Sequence, residues 1–99
     1  MNDETVIERP EMGITQADFL RIFPRLVTTA TSAEIGMLSH IEWPEGTSLK
    51  VKVSQEFIRK IAAMRIPYVN IRFEFQGFTA TARTDFMAHF DRAFHKGGG

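Results

Sequence analysis

Apolar positions recur along this chain with two periods, and each period predicts an element. Phe19, Leu20, Ile22, Phe23 and Leu26 follow helical spacing behind Thr15 and Asp18, a pair that resembles a capping box with Asp in the place usually held by Glu or Gln. A short helix is expected from Gln16. Pro24 lacks an amide hydrogen and pushes Phe23 away from the α region, so the helix ends there or restarts with Pro24 as the first residue of a new turn.

From Ala33 to Trp43 the pattern changes to alternation. Ile35, Met37, Ile41 and Trp43 share one side, interrupted by Ser39, and the segment reads as a strand. Trp43-Pro44-Glu45-Gly46 suits a β-turn, because proline presets the dihedral at the second position and glycine is favoured at the fourth. The returning arm places Leu49, Val51 and Val53 inward and Lys50 and Lys52 outward, which leaves one face of the sheet in water.

Ser54 is a fitting cap for Gln55 to Arg65, where Phe57, Ile58, Ile61, Ala62 and Met64 follow a 3.6-residue period, so a short helix is expected there. Were that segment extended instead, the domain would be a meander with a terminal helix at each end. Pro67 closes it, and Val69, Ile71, Phe73 and Phe75 alternate with Asn70, Arg72 and Glu74 in the clearest strand of the chain. The last segment is a helix capped by Thr79 or Thr81, with Phe86, Met87, Phe90, Ala93 and Phe94 on one stripe. Arg92, His95 and Lys96 favour the negative end of its dipole, and Gly97 is a C′ residue.

These elements predict a single α+β domain in the order α-β-β-α-β-α, with a three-stranded, mainly antiparallel sheet and the helices packed on one face. If the middle helix is a crossover, the third strand runs parallel to the second. Residues 1-13 are expected to be a flexible acidic tail: Asp3, Glu4, Glu8 and Glu11 against Arg9 give a charge of minus three. The domain proper spans 14-96, followed by a glycine tail at 97-99.

Composition narrows the function classes. Twelve basic and twelve acidic side chains cancel over the 99 residues, so no overall field advertises a polyanionic partner. The absence of cysteine excludes a disulfide framework, a thiolate metal site and thiol catalysis. No apolar run approaches the roughly 18 to 20 residues that span a bilayer. Met1 to Glu11 is too acidic for a secretory signal, and a cytoplasmic location without membrane contact is expected.

Candidate chemistry is sparse. Asp85 and His89, and Asp91 and His95, lie four apart on the last helix, but the two pairs point about 240° away from each other and cannot pool ligands. His40 falls on the non-core face of the first strand. The serines and threonines sit in no nucleophile elbow or phosphate loop. No catalytic residue, metal or cofactor is therefore assigned; an enzymatic reading would have to rest on Asp85, His89, Arg92 and His40.

Two surfaces remain. Lys50, Lys52 and Arg72 project from strand faces opposite the core and form a candidate anion-binding stripe, for which the alternative role is protection of strand edges. No ring shares their parity, which argues against stacking on single-stranded bases. Nine phenylalanines and Trp43 exceed what a minimal core demands, and surplus aromatic surface marks protein contact. Trp43 at the hairpin tip and Phe78 after Gly77 are the candidate partner-binding residues. The expected function is a small soluble, non-catalytic interaction or accessory module whose partner is a protein, either a second copy or a larger subunit. The alternative is weak binding of nucleic acid or another phosphate ligand by the basic stripe.

Overall fold

A computed structural model describes residues 4-95 as an α+β domain built on an antiparallel sheet of six strands. In chain order the elements are β1 (Thr5–Met12), α1 (Gln16–Ile22), a 3-10 turn (Phe23–Leu26), β2 (Ser32–Glu34), β3 (Leu38–Glu42), β4 (Ser48–Val53), β5 (Phe57–Ile61), β6 (Met64–Gln76) and α2 (Ala80–Ala93). Across the sheet the order is β1-β6-β4-β3-β2, with β5 paired to the far end of β6. Both helices and the 3-10 turn lie on one face.

Local chemistry explains the helix ends. Thr15 Oγ1 accepts from the Asp18 amide at 3.0 Å while the Asp18 carboxylate accepts from the Thr15 amide at 3.1 Å, a reciprocal box that satisfies donors the first turn leaves open. Pro24 ends the α-helical ladder and opens the 3-10 turn. Thr79 caps α2 by accepting from the Ala82 amide at 3.0 Å.

Phenylalanines from separate elements meet over the sheet. Phe19 and Phe23 stack at 4.7 Å, and Phe90 meets Phe73 edge-on at 4.8 Å and Phe94 at 4.5 Å. With Ile41, Leu49, Val51, Val69, Ile71 and Phe75 they form one fully buried cluster. Arg72, between Ile71 and Phe73, points to the opposite, open face.

Four expectations are corrected. Thr5–Met12, inside the stretch expected to be loose, is an edge strand paired with β6, Thr5 opposite Phe75 and Arg9 opposite Ile71. Its acids concealed an alternation: Ile7 turns toward the core, Glu8 bonds Arg72 on the open face at 3.1 Å, and Arg9 grips Asp91 of α2 with two hydrogen bonds. The negative charge of the segment is thus spent on basic groups of the body.

The region Ala33 to Trp43 is a hairpin, β2 and β3, rather than one strand, because the chain reverses between Ile35 and Met37. Ser39, which breaks the apolar pattern, is fully buried and holds that reversal: its hydroxyl accepts from the Gly36 amide and donates to the Gly36 carbonyl.

Gln55 to Arg65 contains no helix. Phe57–Ile61 is β5, paired antiparallel with Met64–Tyr68 of β6. The covered face of the sheet is already filled by the aromatic helices, so a further stripe has nothing to lie on, and the aromatic and β-branched residues take the extended form they favour. Ser54 does not cap a helix; its hydroxyl accepts from the Asn70 amide at 2.8 Å.

The sheet order is corrected with it. There is no crossover, and β6 runs antiparallel to β4, Val51 opposite Phe73. The extended alternative, a meander with a helix at each end, describes β2 to β6, and β1 adds a further edge. The glycine tail, Lys96 and the Gly97 cap lie outside the described residues.

Candidate functional site: an aromatic groove and a projecting arm

The thirteen residues of β6 run from the tip of one hairpin to the groove at the other end of the sheet. At about 3.4 Å per residue that path is roughly 40 Å long, close to the 49 Å long axis of the molecule. Two features occupy its ends.

At the C-terminal end of β6, Trp43 and Phe78 come together. Trp43 opens the turn that closes with Gly46, whose amide donates to the Trp43 carbonyl at 3.0 Å and whose φ of +94° is readily adopted by glycine. Phe78 follows Gly77, a second left-handed residue at φ +82°. Their rings meet edge-on at 5.6 Å, and Phe86 of α2 completes a triangle at 6.4 Å from Trp43 and 6.5 Å from Phe78. Trp43 Nε1 donates to Thr29 Oγ1 at 3.2 Å, which fixes the indole.

The triangle lines a groove of about 490 Å3 shared with Leu26 and Thr29, where Glu45 is the one charged lining residue. An adjoining hollow of about 440 Å3 adds Glu42. This end of the molecule is concave, aromatic and acidic.

At the other end, β5 and the first half of β6 form a two-stranded arm. Its base is tied down at several points. The Ser54 amide donates to the Asn70 carbonyl at 2.9 Å, Asn70 Oδ1 accepts from the Glu11 amide at 2.8 Å, and the Glu56 carboxylate accepts from the Gln16 amide at 2.8 Å, at the start of α1. Phe57 stacks on Tyr68 at 5.4 Å, the Arg59 guanidinium lies 5.2 Å from the Tyr68 ring centre, and Arg59 pairs with Glu11.

Beyond that base the arm is free. Ile58, Ile61 and Met64 are 52%, 50% and 62% exposed, far above what an apolar side chain in a core retains. Arg59, Lys60 and Arg65 interleave with them, and no acid occurs between Phe57 and Phe73. A two-residue loop, Ala62-Ala63, closes the tip with Ala62 at φ +55°. This end is convex, aliphatic and basic.

The open face of the sheet carries Lys50, Lys52 and Arg72 together. Lys52 lies opposite Arg72, and Lys50 opposite Glu74. Lys52 and Arg72 are paired with acids. Glu74 receives Arg72 Nε at 2.9 Å and Lys52 Nζ at 3.5 Å, and Glu8 receives Arg72 Nη1. The hydrogen bond from Arg72 holds the Glu74 carboxyl below its usual range, and the same bond raises the Arg72 guanidinium. The face is a ladder of alternating charge flanked by exposed Leu38 and Val6.

His40 stands 3.5 Å from Glu42 and meets no nucleophile there. On α2, Asp85, His89 and Arg92 are exposed, and Asp91 is taken by Arg9 rather than by His95. Among the described residues no three His, Cys, Asp or Glu side chains gather as a metal site, and no helix is long and apolar enough to cross a membrane.

Periodicity missed the arm because its apolar residues fit a helix as well as a strand. The signal that marked it was the acid-free, cation-rich run from Phe57 to Phe73. The chain matches no protein-family model, no curated protein and no solved structure.

Proposed function

We propose that this protein is a small non-catalytic interaction module that docks onto a protein partner through its β5–β6 arm, with the Trp43–Phe78–Phe86 groove as a second contact surface. One observation carries the reading: a hairpin anchored firmly at its base presents three large aliphatic side chains, Ile58, Ile61 and Met64, to solvent. With about half of each side chain still exposed, holding such groups in water forgoes about half of the roughly 1.5 to 3 kcal/mol that full burial of each would give. Covering them on a partner recovers it, and a preordered arm loses little entropy on docking.

Placement of a photoreactive residue tests this. Installed at position 61 in the intact chain, it should yield a discrete cross-linked species; installed at Arg92, exposed near the end of α2 away from the groove, it should yield none. Equal yield from both positions, or none from position 61, refutes docking through the arm.

The second reading is a weak phosphate-binding face, supported by the convergence of Lys50, Lys52 and Arg72 on one side of the sheet beside a hollow of about 380 Å3. Glu74 and Glu8 occupy much of that charge, which makes it the lesser of the two.

A further inference from the structure

Resting on the interaction reading, we infer that the partner of the arm is the groove of a second copy of this chain, so that the molecules join head to tail. The two ends of β6 complement each other. One is convex, aliphatic and basic, with Ile61, Met64 and Arg65 at the tip. The other is a concave aromatic groove whose only charged lining residue is Glu45, with Glu42 in the adjoining hollow.

A groove of about 490 Å3 falls within the roughly 300 to 1,000 Å3 range of sites that enclose small ligands, enough for a few side chains of a hairpin tip. An arm cannot reach the groove of its own molecule. Both are carried by one continuous strand whose ends lie apart along the 49 Å axis. The occupant must come from another molecule.

Such a contact uses different surfaces on the two partners, so it is heterologous: it propagates as an open chain unless the rotation between neighbours closes a ring. The area contributed by one hairpin tip is small, below about 1,200 Å2, which places the contact among weak, reversible ones. Association is therefore expected at high protein concentration, and Arg65 and Lys60 opposite Glu45 make it sensitive to salt.

Two variants at exposed positions separate the halves. Ile58→Ser with Met64→Asp disables the arm. Glu45→Arg with Ala82→Arg, both on the rim of the groove, disables the receptor without touching the core. Circular dichroism of each confirms folding before use.

Sedimentation velocity from about 10 µM to 1 mM, the range of weak complexes, should show the intact chain associating, as an open chain or a closed ring, with each variant alone monomeric. Mixed in equal amounts, the variants should form a one-to-one dimer and nothing larger, because a single sound arm meets a single sound groove. A mixture that stays monomeric, or association that survives in either variant alone, overturns head-to-tail assembly. So does an intact chain that is monomeric at 1 mM by the same criterion of weak association.

The two readings fail distinguishably. If the intact chain stays monomeric yet position 61 cross-links to a different polypeptide, the self-assembly inference falls and the interaction reading stands. If position 61 yields no cross-link and the arm instead binds anionic vesicles or DNA, both fall.

Discussion

Truncation of Phe90 and of Phe57 to alanine contrasts the core with the arm inside one molecule. Phe90 is fully buried and touches Phe73, Phe94 and Phe23 at ring distances of 4.8, 4.5 and 6.4 Å. Removing it deletes the link between α2 and the centre of β6, and Phe→Ala in such a setting costs about 3 to 5 kcal/mol. A domain of this size holds only about 5 to 15 kcal/mol in total. Phe57 is half-buried, with Tyr68 as its one ring partner. Its loss forfeits a single stacking contact of about 0.5 to 1.5 kcal/mol plus partial burial.

Urea unfolding followed by the fluorescence of Trp43, the sole tryptophan, reads both. With a slope of about 1 to 3 kcal/mol per molar, Phe90→Ala should lower the midpoint by at least ~1 M and Phe57→Ala by less than half as much. Equal shifts, or a cost below about 1 kcal/mol for Phe90→Ala, would refute the separation of a phenylalanine core from an arm outside it.

Other consequences are open to simple assays. Ala62 holds a left-handed φ of +55° at the arm tip, so Ala62→Gly should stabilise the hairpin by about 1 kcal/mol and slow amide exchange in β5; faster exchange would count against that strain. Glu74 has a folded-state pKa depressed by Arg72. Its contribution is therefore complete above the ordinary carboxylate pKa of about 4.3 and is lost as pH falls through the lower folded value. Melting temperatures between pH 7 and pH 3 should drop less steeply for Glu74→Gln than for the parent, and identical slopes would remove Glu74 from the acid response. Asn70→Ala severs the exposed bond to the Glu11 amide at the base of the arm and should cost about 0.5 to 1.5 kcal/mol in urea melts. Titration with duplex DNA should give weak binding with a shallow salt dependence, since Glu8 and Glu74 neutralise much of the Lys52 and Arg72 charge; a steep slope would restore the open face as a phosphate site.

The core was legible in the sequence where one period had no rival. Val69 to Phe75 alternates without ambiguity, and Phe86 to Phe94 keeps a helical stripe, so the second half of β6 and α2 could be placed with their inner faces. The Trp43–Gly46 turn was equally readable, because proline and glycine each restrict the backbone in a known way. What could not be read was long-range competition. Phe57, Ile58 and Ile61 satisfy a helical and an extended pattern alike, and the choice was made by Met64–Tyr68, which offers strand pairing, and by aromatic helices that had already filled the covered face.

β1 was hidden for a related reason. Local charge suggested a solvated tail, whereas Arg72 and Asp91, 64 and 82 positions away from their partners, supply the groups that hold it. Trp43 and Phe78 were singled out as separate surface rings, and the fold brings them into one groove. Lys50, Lys52 and Arg72 share one face; of the acids threaded between them Glu74 is two residues from Arg72, whereas Glu8 comes from a register that no local window contains.

Excision of the arm separates the docking element from the phenylalanine core. Ile58 to Pro67 is replaced by Asn-Gly, so that Phe57 and Tyr68 close a shorter two-residue hairpin, and thermal unfolding is compared with that of the intact chain. A single cooperative transition within about 4 °C of the parent is expected, because the removed residues lie outside the phenylalanine core. A lost transition, or a fall beyond about 8 °C, would show that the arm is part of what holds the domain together and contradict its role as a free docking element.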